Sequence, residues 1–165
     1  MSVLLSLDEL VATSKYVVVG TAMERYSVWE DLAGGRRIVT YTRMKVENAV
    51  VGAAGGEVMV RTLGGVVGRI GQQVSGEASI SLGSTSMLFL ADADGALVVS
   101  GMAQGHYPIV SDSKGPSRLA SSPDAGALLP RRGPMISARE RLLGTPLDSA
   151  VDAVKRTRRV LDGKK

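Results

Sequence analysis

Few residues of this 165-residue chain have a type and spacing that suit catalysis or metal binding. The chain has no cysteine and a single histidine, His106, which excludes thiolate metal sites, a cysteine nucleophile and any site that needs two imidazoles. Ser111 and Lys114 fit the S-x-x-K pattern of some acyl-transfer enzymes. Those enzymes place the serine at a buried helix start, whereas this serine lies in a polar linker, so we expect the match to be coincidental.

The other candidate residues favour structural roles as well. His106 could act as a base, but the sequence contains no G-x-S-x-G elbow, so we interpret it as a surface or edge-strand histidine. Asp92 and Asp94 precede Gly95 without a third acid at calcium-loop spacing, which is typical of a turn. No nucleophile, base and orienting group can be assembled. The sequence therefore predicts a non-enzymatic protein without a cofactor or metal ion.

Charge is distributed unevenly along the chain. Residues 1–110 carry 8 basic and 10 acidic side chains, whereas residues 111–165 carry 12 basic and 6 acidic ones. Part of this basic excess lies in a short segment, which contains Lys155, Arg158 and Arg159. Such cations could contact phosphates, but they also complement the dipole of a helix C-terminus, and the tail has no aromatic side chain for base stacking. We therefore do not expect nucleic acid as a partner.

The first 110 residues show the pattern of a glycine-rich β unit. Ser6 and Glu9 fit a capping box that starts a short helix. Runs rich in β-branched and aromatic residues then predict strands over 16–29, 36–51, 57–63 and 85–91. Gly20 is expected to mark a bulge in the first long strand. The glycine-dense segment 64–71 fits neither a dinucleotide fingerprint nor a P-loop, and favours bulges or close backbone approach.

Short turns between many strands favour a small barrel or sandwich. Asp94-Gly95 predicts a hairpin turn, and a final strand over 105–110 is predicted to lie at an edge because Pro108 cannot donate a ladder hydrogen bond. We predict a mainly β fold, in the form of a partly closed barrel of the oligonucleotide/oligosaccharide-binding type. A short N-terminal helix precedes it, and a C-terminal helix follows on an extended arm.

The C-terminal third is predicted to consist of an arm and a helix, so that the chain divides into 1–110, 111–144 and 145–163. The arm is rich in Ser, Pro and Gly and shows no periodicity. Thr145 as N-cap, Pro146 at the first helical position and Asp148 two residues later predict the helix start. Gly163 is expected to end it.

The predicted helix has one apolar stripe, which could dock on the β unit or meet a partner chain. The stripe and the neighbouring cations are the candidate contacts for a protein partner or for self-association: Leu147, Val151, Val154, Lys155, Arg158, Arg159 and Leu161.

The β unit also resembles a known family. The similar segments are VVVGTAMERYSVWED, RRIVTYTRMKVENAVVG, VMVRTLGGVVGRIGQQVSG, LGSTSMLFL and VVSGMAQGHYPIV. They resemble uncharacterised exported bacterial proteins, which in turn loosely resemble the netrin-like module of tissue inhibitors of metalloproteinases. The resemblance covers about residues 7–110 and implies a barrel of the same oligonucleotide/oligosaccharide-binding type. Those inhibitors place an N-terminal cysteine on a catalytic zinc, and this chain has no cysteine, so their mechanism does not transfer.

The resemblance implies a location in the periplasm or cell envelope, with the signal segment absent from this chain, whereas the residues alone equally allow the cytoplasm. No apolar run reaches the roughly 18 residues of a transmembrane segment. We hypothesise a non-enzymatic interaction module of the bacterial cell envelope that binds a protein or an envelope component. The alternative is a structural subunit of a homo-oligomeric or multiprotein assembly, which would use the arm and helix to pack on its neighbours.

Overall fold

A computed structural model describes residues 2–164, and strands dominate it. The strands are β1 (Ser2–Val3), β2 (Tyr16–Leu32), β3 (Gly35–Val51), β4 (Glu57–Leu63), β5 (Gly65–Val67), β6 (Ile70–Gln72), β7 (Thr85–Ala93), β8 (Ala96–Val99), β9 (His106–Val110), β10 (Arg118–Leu119) and β11 (Leu128–Leu129). The helices are α1 (Leu7–Ala12), α2 (Ala138–Leu142) and α3 (Leu147–Gly163), with one 3-10 turn at Met102–Gly105. The prediction of a mainly β fold is confirmed.

Five strands form a ring-like sheet. Their order is β7, β2, β3, β4 and β8, and β8 returns to β7 through a hairpin in which Ala93 lies opposite Ala96. All neighbours are antiparallel except β4 and β8, which run parallel. One edge of β7 pairs with β2. Its other edge is shared by two strands, because residues 86–88 pair with β9 and residues 90–93 pair with β8. The sheet is therefore partly closed, and β9 and β10 extend from it.

Two local features of this sheet were visible in the sequence. The register of β2 against β3 shifts between Val19 and Gly20, as the bulge prediction required. A Cβ atom on Gly20 would lie 2.7 Å from the carbonyl oxygen of Lys45, so no larger residue fits there without movement. Asp94 and Gly95 both have positive φ, at 51° and 80°, which is the geometry of the predicted two-residue hairpin turn.

Two apolar clusters lie on opposite faces of the ring. The inner core fills the ring interior and includes Val18, Met44 and Leu88, which are fully buried. The outer core lies between the outside of the ring and the helices, and there Phe89 packs with Leu10 of α1 and Val154 of α3. Because strand side chains alternate between faces, Leu88 and Phe89 serve different cores from adjacent positions.

The prediction of β9 as an edge strand is wrong. β9 lies between β7 and β10, because residues of the arm return to it and place Leu119 opposite Ile109. Pro108 is nevertheless accommodated: its carbonyl oxygen accepts a hydrogen bond of 2.8 Å from the Ala120 amide. The pairing partner comes from a segment without strand periodicity, so local sequence did not reveal it.

The start of the C-terminal helix is also different from the prediction. Pro146, not Thr145, is the N-cap of α3, and no side chain caps the helix. The hydroxyl of Thr145 instead donates to the carbonyl oxygen of Arg141, 3.1 Å away, at the end of α2. Sequence analysis did not predict α2, which begins at the N-cap Ser137 and competes for this hydroxyl.

The arm packs against the rest of the chain at three places. β10 pairs with β9, β11 pairs in parallel with β1, and α2 contributes Ala138 and Leu142 to the outer core. Leu119 belongs to the same core and is 1% exposed. The arm and α3 therefore share one continuous apolar core with α1 and the ring.

Charge on the packed face of α3 should destabilise the fold. Val154 is fully buried, and its substitution Val154→Asp places a carboxylate in the outer core, at an expected cost of about 3 kcal/mol or more in the free energy of unfolding. Val160 lies on the same helix and is 56% exposed, so Val160→Asp should change stability by only about 0.5 kcal/mol. Urea unfolding of both variants measures the difference; equal effects would contradict the docking of α3.

Candidate binding site

Beyond the inner core, the interior of the ring becomes polar and opens into a cavity of about 1020 Å³, which we call the mouth cavity. Thr40 and Thr42 lie on the same face of β3 as Met44 of the inner core, because strand side chains alternate. Ser27 and Thr62 lie opposite Thr40 on the neighbouring strands. The remaining wall comes from the β5–β6 hairpin and from segments 73–80 and 123–126.

The hydroxyl groups in this wall are held in fixed orientations. Thr40 donates to the carbonyl oxygen of Gly64 at 2.7 Å, and its oxygen lies 2.8 Å from that of Ser27. Since Thr40 has already used its hydrogen, Ser27 donates in that pair, and the oxygen of Ser27 keeps its lone pairs as acceptors. This arrangement presents hydrogen-bonding groups in a concave site.

Side-chain bonds to the backbone fix the loops around the cavity. The Gln72 Oε1 atom accepts from the Ile38 amide at 2.8 Å, and the Asp124 Oδ2 atom accepts from the Ser79 amide at 3.0 Å. The carboxylate of Glu77 accepts from the Leu63 amide at 2.9 Å and from the Ala78 amide at 3.3 Å. Burial raises the pKa of Glu77, while these two bonds and the positive charge of Arg61 partly oppose that rise.

Arg25 and Gln73 are two of the exposed polar side chains at the rim that remain available to a ligand. Arg25 is exposed and uses one nitrogen on the carbonyl oxygen of Ile80, at 3.1 Å. The exposed carboxamide of Gln73 makes no hydrogen bond to any residue between 2 and 164. The cavity therefore combines fixed inner hydroxyls with adaptable rim groups, which suits an uncharged or weakly charged polar ligand.

Gly65 of the β5–β6 hairpin lies close to the ring wall. Its φ is +138°, and an added Cβ would overlap the hydroxyl oxygens of Thr40 and Ser27. The sequence prediction of close backbone approach in segment 64–71 is confirmed at this residue. Without a side chain at position 65, the backbone of the hairpin can approach the hydroxyl pair closely.

A second, smaller concavity of about 500 Å³ lies beside Tyr41 and Arg61. The hydroxyl of Tyr41 donates to Glu30 at 2.6 Å, a bond that raises the pKa of Tyr41. Arg61 Nη1 lies 3.5 Å from the same carboxylate, and the Arg61 side chain is only 9% exposed. Its Nε–H group is buried and has no acceptor among the described residues. The charge of Arg61 is matched by Glu30, so Arg61 is not a free cation in this concavity.

His106 does not lie at the surface, and the prediction of a surface or edge-strand histidine is wrong. It is 4% exposed, with Nε2 at 3.3 Å from the Ser86 hydroxyl and Nδ1 at 3.1 Å from the Ser122 hydroxyl. Burial lowers the pKa of His106, and the charge of Asp124 partly offsets the effect. The imidazole of His106 therefore links β7, β9 and the arm as a neutral, hydrogen-bonded group.

The candidate contacts on α3 separate into two sets. Val151 and Val154 are buried in the outer core, and Leu147 and Leu161 pack against it. Lys155 and Arg159 are exposed, whereas Arg158, four residues after Val154 on the same face, has a side chain that is 22% exposed and forms an ion pair with Asp162 at 2.7 Å. Of the two possibilities for the stripe, the structure has the one in which it docks on the chain's own β unit.

Sequence analysis missed the mouth cavity. Its inner residues did carry a signal, since Thr40 and Thr42 lie between the apolar residues Ile38 and Met44 on one face of β3. The threonine spacing alone does not identify a cavity, because the other walls come from β4 and the β5–β6 hairpin. Within residues 2–164, no cluster of three or more acidic, histidine or cysteine side chains could hold a metal ion, and no helix is long and apolar enough to cross a membrane.

No protein-family model matches the chain, and no curated protein matches it. The resemblance to exported netrin-like proteins therefore stays a prediction.

Alanine at position 65 should destabilise the protein through the contact with the ring wall. We expect Gly65→Ala to lower the free energy of unfolding by about 3 kcal/mol, because both the backbone conformation and the space are unsuitable. Gly68 has φ +60° with no atom within 4 Å of its added Cβ, so Gly68→Ala should cost only about 1 kcal/mol. Thermal or urea unfolding compares the two; a similar cost in both would contradict the close approach.

Stability should fall as the solution becomes acidic because His106 is buried and neutral. Its folded-state pKa is below the ordinary 6.5, so the unfolded chain binds the additional proton as the pH drops below about 6.5. The loss can reach a slope of one proton, about 1.4 kcal/mol per pH unit. Measured between pH 7.5 and about pH 5, the stability of His106→Gln should lack this component. Parallel curves for the two proteins would refute a buried neutral imidazole.

Proposed function

We propose that this protein is a non-enzymatic binding module of the bacterial cell envelope, and that it holds a polar segment of an envelope component or protein in the mouth cavity. The observation that carries the proposal is the polar interior of the ring at residues 27, 40, 42 and 62. A ring of this size can be filled with apolar side chains, as its inner core is. Around the cavity of about 1020 Å³, hydroxyl groups stand in place of apolar side chains, and a site for a polar ligand requires such groups.

The strand connectivity supports an oligonucleotide/oligosaccharide-binding type of barrel. If β2, β3, β4, β7 and β8 are numbered one to five along the chain, their order around the ring is one, two, three, five, four, and strands three and five are parallel. Barrels of this type are five-stranded, partly open and bind oligomers next to their second and third strands. In this chain those strands are β3 and β4, which supply Thr40, Thr42 and Thr62 to the cavity.

The lining favours a ligand that is rich in hydroxyl and amide groups. Threonine, serine and glutamine side chains both donate and accept hydrogen bonds, whereas the nearby charges of Glu77 and Asp124 are used on backbone amides. The aromatic platform that stacks single-stranded bases is missing from this lining except for Tyr26 at its rim. A glycan or peptide of the envelope fits these groups better than a nucleic acid.

The location and the lack of enzymatic activity belong to the same proposal. The envelope location rests on the sequence resemblance to exported proteins. A binding role without catalysis is supported by His106, the residue best suited to act as a base, because its ring is buried between two serine hydroxyls. A structural subunit that packs through the apolar stripe of α3 has less support, since that stripe packs in the outer core.

Removal of a rim group should weaken binding without affecting the fold. Soluble fragments of digested bacterial cell wall carry sugar hydroxyls and peptide amides, and can be titrated into the protein by calorimetry. We expect Gln73→Ala to weaken their binding about fivefold to tenfold, the loss of about one hydrogen bond. Asn48→Ala removes an exposed carboxamide from β3 outside the cavity and should leave affinity unchanged. Absence of binding, or equal loss in both variants, would contradict the proposed site.

A further inference from the structure

The outer part of β2 has one unpaired edge. β7 pairs with β2 only over residues 16–21, and the last bonds on that edge join Ala22 to Ser84 and Gly83 at 3.0 and 2.8 Å. From Met23 to Leu32 the described chain pairs β2 with β3 alone. This free edge of ten residues is about 33 Å long, and it presents backbone amide and carbonyl groups to solvent.

The free edge lacks most of the devices that prevent strand addition. Residues 23–32 contain no proline, glycine or lysine, and the register irregularity of this region lies at its base, between Ala22 and Glu24. Tyr26 is 54% exposed and Met23 is 47% exposed. Charged side chains are present, so the identity of a partner strand depends on which sequence can pair with those charges.

We propose that the free edge of β2 pairs antiparallel with the same edge of a second copy of this chain. In an antiparallel pair, directly opposite side chains lie on the same face of the sheet. A two-fold axis perpendicular to the sheet must therefore pass between two copies of the same residue, so that the numbers of any two opposite residues sum to an even value. With Val28 on the axis, Arg25 of each copy lies opposite Asp31 of the other, which gives two opposite-charge pairs.

Neighbouring registers are less favourable. A two-fold axis at Ser27 would place Glu24 opposite Glu30 twice, and like charges directly opposite are destabilising. An axis at Trp29 would leave both Arg25 side chains without an opposite charge. The charges on this strand therefore select one register of self-pairing. Arg25 and Tyr26 of this edge also line the rim of the mouth cavity, so the dimer contact borders that site, whereas it shares no residue with the apolar stripe of α3.

Charge reversal followed by mixing tests this dimer directly. In a concentration series by sedimentation equilibrium, the wild-type chain should form a dimer. Arg25→Asp alone places two aspartates opposite each other at both pairs, and Asp31→Arg alone places two arginines there, so each variant should dimerise at least tenfold more weakly. An equimolar mixture of the two variants restores two opposite-charge pairs and should recover dimer formation.

A matched variant and three results decide the proposal. Arg69→Asp changes the same charge at the exposed tip of the β5–β6 hairpin and should leave the dimer unchanged. A monomeric wild type at every concentration, single variants that dimerise normally, or a mixture that stays monomeric would each overturn it. Recovery in the mixture also shows that both variants are folded, and the measurement contains no mouth cavity ligand, so its result is separate from the proposed binding function.

Discussion

The rest of the structure depends on the β2–β3 ladder. Each strand has 17 residues, about 56 Å at roughly 3.3 Å per residue, whereas strands of globular proteins usually have about 5–6 residues. Within the ring, residues 16–21 of β2 pair with β7 and residues 39–45 of β3 pair with β4, whereas residues 23–32 of β2 pair with β3 alone. Ser27 of this outer part lines the mouth cavity together with Thr40 of the ring, and the free edge of β2 lies in the same outer part, so the length of the hairpin determines which surfaces are available for binding.

Along one face of the β2–β3 hairpin, apolar residues that pack in the inner core are followed by polar residues that line the mouth cavity. Val18 and Met44 fill the ring interior, whereas Ser27 and Thr40 continue the same face with hydroxyls. On the outside of the ring, the outer core joins it to α1, α2 and α3. The helices thereby stabilise the ring from outside, which allows its interior to remain partly open.

Local rules in the sequence predicted the elements that depend on neighbouring residues. The capping box of Ser6 and Glu9, the bulge at Gly20 and the turn at Asp94-Gly95 all follow from chain geometry over a few residues. The burial of His106 and the position of β9 inside the sheet depend on Leu119 and Ser122, which belong to an arm without periodicity. The mouth cavity depends on Gly64, which lies 24 residues after Thr40 and whose carbonyl oxygen accepts a hydrogen bond from the Thr40 hydroxyl, and no local pattern encodes that contact.

The most direct test of a binding role for the ring interior is amide hydrogen exchange, measured with and without soluble cell-wall fragments. If the mouth cavity binds these fragments, exchange should slow in their presence for residues 62–65 and 72–79, which surround the cavity, and should stay unchanged in α3. Slowing confined to the basic face of α3, or no slowing at any residue, would contradict the assignment of the mouth cavity as the binding site.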